Sequence, residues 1–222
     1  TGNSGGSVVG DIAVAPTGKI WMSGSFWGEI EWGSDWELSD AGGIDGFVST
    51  MSPTGVWDWG TKMGGTSNYD SMHDLVVDSN GDGYVVGVFE DHTYFENTSY
   101  NILKGLDGFV TKVNQTNGTF EWVEIVGGNY EDNITAITID NSGRIFVTGY
   151  YSGNINFGSY SVSNAGALST FIAEIDSQGN WQWANEAKAV YGGIIPYAIE
   201  VNSNSIFIGG DVVGLIDLDG TY

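Results

Sequence analysis

The chain has 222 residues, 41% of them hydrophobic and 14% aromatic, enough for a sizeable core in one all-β domain spanning 1–222. Six Lys and Arg against 28 Asp and Glu leave a net charge of −22, which repels nucleic acid and anionic membrane surfaces. Cysteine is absent, which excludes disulfides, zinc–thiolate sites and thiol nucleophiles, and no apolar run approaches the roughly 18 residues of a transmembrane helix. The acidic residues are scattered, as on a solvated surface, and do not form an acidic tail. Abundant Gly, Ser, Thr and Asn without cysteine point to an extracellular or cell-surface protein.

In chain order, IAVAPTGKIWMSG (12–24) reads as two period-two strands joined by a turn at PTG. GEIEWG (28–33) follows, then the strand DGFVSTM (45–51), a turn at SPTG, the strand VWDWG (56–60) and Gly-Gly at 64–65. The same order returns as LVVDSNGDGYVVG (75–87), DGFVTKV (107–113), FEWV (120–123) and Gly-Gly at 127–128. It returns again as ITIDNSGRIFVTG (137–149), GNINFG (153–158), STFIAEI (169–175), WQWA (181–184) and Gly-Gly at 192–193. A last copy, IEVNSNSIFIGG (199–210) with GLIDLDG (214–220), has no third or fourth strand block. Gly24, Gly87, Gly149 and Gly210 are 63, 62 and 61 residues apart, so the repeats are approximately 10–65, 73–128, 135–193 and an incomplete 197–222.

Each repeat is expected to be a four-stranded antiparallel sheet of two hairpins, and no segment has a helical period. Such a sheet cannot bury both faces alone; radial stacking as the blades of a β-propeller is the common solution. The motifs resemble the microbial secreted β-propeller repeats of the SBBP type, with their I-A-V-D-x-x-G-N-x-Y-V-T-G, D-x-F-V-A-K-L-D-x-x-G, W-x-W and Gly-Gly blocks. The resemblance covers nearly the whole chain and implies a propeller of about three and a half blades, from a family of exported surface or binding modules without a shared chemistry. The chain is accordingly expected to be a monomeric fragment of a longer propeller. The alternative is self-association through open blade edges, in which a partner chain completes the ring.

Asp78, Asn80 and Asp82 in DSNGDG have the spacing with which an EF-hand calcium loop begins. The twelfth position is Phe89 where a bidentate carboxylate is required, and the residues aligned with Asp82 are Lys19 and Arg144. A hairpin turn is therefore expected, with at most a weak calcium site and no other cofactor. The W-x-W pairs recur and are read as packing between blades. Trp27, Trp32 and Trp36 lie in an irregular connection and do not recur, which makes them the candidate ligand-binding aromatics.

His73 and His92 lack a metal-ligand spacing, and no P-loop element is present. Carboxylate pairs such as Glu29 with Glu31 are too common in so acidic a chain to nominate a glycosidase. Asn97, Asn114, Asn117 and Asn133 begin N-x-S/T sequons. The leading expectation is a non-enzymatic module for adhesion, scaffolding or capture of a glycan or protein ligand. A lectin-like propeller is second, and a propeller enzyme whose catalytic blade is missing is third.

Overall fold

The computed structural model describes residues 5–32, 36–66, 69–163, 168–202 and 205–217, with no side-chain detail for 102–104 and 216–217. The described residues are all β, with turns and bends but no helix. Residues 218–220 of GLIDLDG lie outside them. The first repeat supplies β1 (Gly6–Val14), β2 (Ile20–Trp27), a small hairpin of β3 (Glu29–Trp32) and β4 (Trp36–Ser39), then β5 (Asp45–Met51) and β6 (Trp57–Gly65). Pairing runs β1–β2–β5–β6, antiparallel throughout, with β3 paired to β4 beside them.

The second repeat has β7 (Ser71–Val77), β8 (Gly83–Phe95), β9 (Thr98–Val113) and β10 (Phe120–Gly128), paired in that order. Here the small hairpin is formed by the far ends of β8 and β9, which turn at Glu96 with φ of 53°. The third repeat has β11 (Asn133–Ile139), β12 (Ile145–Tyr151), the hairpin β13 (Asn154–Phe157) with β14 (Tyr160–Ser163), β15 (Ser169–Ile175) and the start of β16 (Trp181–Val201). The far half of β16 becomes the first strand of the fourth repeat and pairs with β17 (Ile206–Asp217). The joined sheets curl like half a barrel.

The small hairpins explain the Gly-Gly pairs. Beyond its own sheet, the fourth strand of each of the first two repeats pairs with the hairpin of the next, Gly65 opposite Thr93 and Gly128 opposite Ile155, and β16 pairs with β17 at Gly192 opposite Gly214. A Cβ on Gly64 or Gly127 would fall 2.2 Å from the carboxyl of Asp45 or Asp107 respectively. A Cβ on Gly65 or Gly128 would fall about 2 Å from the carbonyl of His92 or Asn154, at 2.0 and 1.9 Å. Such approaches admit no side chain, so the sequence needs two glycines where the chain crosses between sheets.

Every first strand carries a bulge at the same place, between Val9 and Asp11, Met72 and Asp74, Ile134 and Ala136, and Pro196 and Ala198. The bulge turns one extra side chain out of the pleat. His73 Nδ1 thereby reaches the Ile134 carbonyl at 3.0 Å, and Thr135 Oγ1 donates to the Pro196 carbonyl at 2.8 Å. In both cases the bulged residue bonds the first strand of the next repeat.

The core lies between repeats. Trp21, Val48, Trp59 and Met63 of the first pack on Met72, Leu75 and Val85 of the second. Tyr84, Val86 and Val110 of the second pack on Ile134, Ile137 and Val147 of the third, and Phe146 of the third meets Ile199 of the fourth. The recurring Trp of the fourth strand closes the first two joints: Trp59 Nε1 donates to the Gln115 carbonyl and Trp122 Nε1 to the Ser177 carbonyl, both at 3.1 Å, whereas Trp183 Nε1 donates to Glu174 of its own repeat.

Candidate functional site

The joint between the first two repeats opens into a cleft of about 370 Å³ lined by Ser25, Trp27, Tyr69, Ser71, Met72 and His73, among others. Trp27 ends β2 and lies across Gly6, where a Cβ would fall 2.4 Å from the indole. Trp27 remains 43% exposed and Tyr69 39%. Two aromatic surfaces therefore stand open beside two hydroxyls and an imidazole.

Burial lowers the pKa of His73, so the ring is neutral near pH 7. Since Nδ1 faces a carbonyl it must carry the proton, which leaves Nε2 as an acceptor.

The other two candidate tryptophans do not line this cleft. Trp32 is half-buried, with its ring centroid 5.2 Å from Phe47 and 5.7 Å from Trp57 and its edge over Gly60. It holds the β3–β4 hairpin onto the sheet. Trp36 faces it in register and is exposed.

A larger cleft, about 490 Å³, runs between the hairpin turns of the second and third repeats, lined by Asp78, Asn80, Tyr84, Asp140, Ser142 and Ser177 among others. The carboxylates here are committed to their own turns. Asp78 Oδ1 accepts the backbone N–H groups of Asn80, Gly81 and Asp82 at 2.8, 2.9 and 3.0 Å. Asp140 does the same for Ser142 and Arg144 and pairs with the Arg144 guanidinium at 2.7 Å; the Ser142 hydroxyl first, then the Arg144 N–H and guanidinium, hold its pKa well below the carboxylate range. Asp82 points elsewhere, accepting the Gln115 N–H at 3.1 Å and pairing with Lys112 at 3.0 Å. The Asn80 carbonyl accepts from the Gln115 side-chain amide. Asp78, Asn80 and Asp82 thus stabilise a turn and tie it to the neighbouring turn of the same repeat, each carboxylate already supplied with donors. Among the described residues, no three His, Cys, Asp or Glu side chains gather as a metal site would require.

Buried carboxyls form a third group. Asp107 and Asp132 have pKa values pushed up to about 7 by burial, and the Asp107 charge further raises that of Asp132. Asp74 is also raised to about 7, by burial and by Asp11 on the adjoining first strand. Its Oδ2 accepts the Ile137 N–H at 2.9 Å. These positions recur: Asp45 occupies the corner of Asp107, its pKa likewise raised by burial and tempered by Lys62 at 3.0 Å. Recurrence marks them as parts of the joints.

Sequence reasoning did not single out Tyr69, Ser25 or Ser71. Tyr69 is the residue before a recurring Asp, Asp70 and Asp132, and its counterpart is Glu131, as Glu90 is the counterpart of Trp27. That departure from the repeat was the available signal. No protein-family model matches this chain, and no curated protein sequence matches it.

Proposed function

We propose that the chain is a succession of β-propeller units of the SBBP-like kind, working outside the cell or at its surface as a non-enzymatic binding module. Four antiparallel strands in each of the first three repeats, first strands side by side and cores between repeats are what support the propeller reading. The observation that carries the functional reading is the cleft of the first joint, where Trp27 and Tyr69 stand exposed and are not required by the repeat, beside Ser25, Ser71 and His73.

A flat aromatic face next to hydroxyl and imidazole groups suits a ring with an apolar face and a polar rim, which is the chemistry of a pyranose. The same feature favours the lectin-like form of the reading over capture of a protein, which would engage a larger surface. This reading does not call on calcium, since the Asp78 and Asp82 carboxylates already hold internal donors.

The test is a glycan array followed by titration of the best ligand with and without calcium. Trp27→Ala should weaken binding at least about 10-fold, the scale of losing one stacked ring. Trp36→Ala should not. Undiminished binding by Trp27→Ala, or strict calcium dependence, would overturn the assignment.

A further inference from the structure

The first two repeats each set a buried carboxyl, Asp45 or Asp107, against their Gly-Gly pair, and what faces that carboxyl differs between them. In the first repeat the Lys62 ammonium stands 3.0 Å from Asp45 Oδ2 and donates to the Ser39 carbonyl at 2.5 Å. Strand register identifies the counterparts. Lys62 lies opposite Phe47 and Ile125 opposite Phe109, the same phenylalanine of the DGFV block, while Ser39 and Asn101 each end the small hairpin six residues before the aspartate. Asp107 therefore keeps the place of Asp45, but an uncharged, shorter Ile125 stands where the lysine was. In the third repeat Ser169 replaces the aspartate, and Glu186, opposite Phe171, pairs with Lys188 at 2.7 Å.

Among the described residues no cation pairs with Asp107. The space beside it is open: a cleft of about 360 Å³ is lined by Asn101, Asp107, Ile125, Asn129 and Asn156, among others. Asp107 is 6% exposed, and its Oδ1 receives no hydrogen bond. Asp132 is fully buried against the same glycine pair, and its Oδ2 also receives none. A buried carboxylate without a counter-charge is costly, and in the first repeat Lys62 offsets that cost from within the chain. The net charge of −22 draws cations towards such a cleft from solution.

We infer that this cleft binds the primary ammonium group of a ligand, held by Asp107 in the place that Lys62 takes against Asp45. Lys62 itself shows the geometry: a carboxylate and a hairpin carbonyl receive two of its N–H donors. In the second repeat Asp107 and Asn101 stand at those two positions, and the amides of Asn129 and Asn156 line the cleft where a third acceptor is needed. Two carboxyls without a third such ligand suit an ammonium better than a divalent ion, which gathers more oxygens. An amino sugar and a lysine side chain both carry this group. The site is separate from the Trp27 cleft and does not depend on what binds there.

Titration of the isotope-labelled chain with methylammonium chloride near pH 8, followed by NMR at the Gly127 and Gly128 amides, tests it. Saturable shifts are expected, with far smaller ones from tetramethylammonium or sodium chloride, whose cations have no N–H donor. No saturable shift, or equal shifts from all three salts, overturns the inference. Glucosamine and Nα-acetyl-lysine amide separate the two sources: whichever saturates the site at lower concentration identifies the ligand class, and failure of both overturns the inference. Asp107→Asn removes the charge, and Ile125→Lys fills the site with an internal ammonium as in the first repeat. Each should weaken methylammonium binding at least about 10-fold, the scale of one hydrogen bond to a charged group. Trp27→Ala should bind methylammonium like wild type. Wild-type affinity in folded Ile125→Lys or Asp107→Asn, or binding lost in Trp27→Ala, overturns the assignment to Asp107.

Discussion

The ammonium of Lys112 stands 3.0 Å from the Asp82 carboxylate and 2.8 Å from Glu121, bridging a turn and the fourth strand of the second repeat. In the first repeat the polarity is reversed: Lys19 takes the place of Asp82 and pairs with Asp58 at 3.2 Å. A cation at that position thus serves the same purpose as an anion, provided its neighbour is changed. Asp82→Asn should leave the fold intact and alter stability by less than about 1 kcal/mol, the worth of a partly exposed ion pair. Calcium calorimetry on the wild type should reveal no site tighter than about 1 µM, the range of calcium sensors; finding one would return the turn to the metal-binding class.

Asp78 makes a stronger claim on the turn, since one oxygen receives three backbone donors. Asp78→Ala should lower unfolding free energy by about 1–2 kcal/mol, as for loss of a good helix cap, because those N–H groups revert to water or go unpaired. Urea denaturation measures it. Asp78→Asn, which keeps the acceptor oxygen, should recover most of the loss. Ala15 fills the equivalent position in the first repeat, where the Ala15 N–H still donates to the Lys19 carbonyl at 2.8 Å, so the turn itself survives the change.

The buried carboxyls set the pH response. Asp74, Asp107 and Asp132 have pKa values of about 7 in the folded state, above the carboxylate value of about 4 in the unfolded chain. Between these limits the folded protein holds protons that the unfolded chain has released, so stability falls as pH rises from about 4 through about 7. Below about 4 the opposite group dominates: Asp140, Asp176 and Glu121 have lowered pKa values, and protonating them removes hydrogen bonds and ion pairs. Calorimetric Tm should therefore peak in mildly acidic solution and decline towards pH 8. Asp107→Asn should flatten that decline. A Tm that climbs steadily from pH 5 to 8 would contradict the assignment.

Trp21 has no exposed surface, meets Trp59 edge-on with centroids 5.2 Å apart, and lies where a Cβ on Gly83 of the next repeat would fall 2.5 Å away. Trp21→Ala should cost about 3–5 kcal/mol, the price of emptying a large aromatic site between two rigid sheets. Chemical denaturation gives the value directly, and a loss below about 1 kcal/mol would mean that the joint collapses to fill the space. Phe207→Ala, at the matching position but 57% exposed, should cost far less.

Much of this architecture is legible in the sequence because the repeat supplies its own controls. Aligning DSNGDG with PTGK and NSGR distinguishes a tolerant turn from a metal loop, and alternation at Leu75 and Val77 or Ile137 and Ile139 gives strand faces without any coordinates. The Gly-Gly pairs are visible as a rhythm, but their reason is not. Gly65 and Gly128 are required by carbonyls of His92 and Asn154, which belong to a different repeat and approach only after the hairpin docks.

The sequence by itself determined the all-β class, the recurrence of its motifs, the turns and the absence of thiol chemistry, since these follow from residue type and periodicity along the chain. The tertiary structure decided which of three unrepeated tryptophans opens onto a cleft, that Trp32 is instead packed on Phe47 and Trp57, and that Tyr69 joins Trp27 from the next repeat. It also decided which equivalent residues are covered. Leu75 and Ile12, or Phe146 and Phe207, are alike in local pattern and differ only in whether another sheet packs against them, a property of neighbours distant in the chain that no local periodicity encodes.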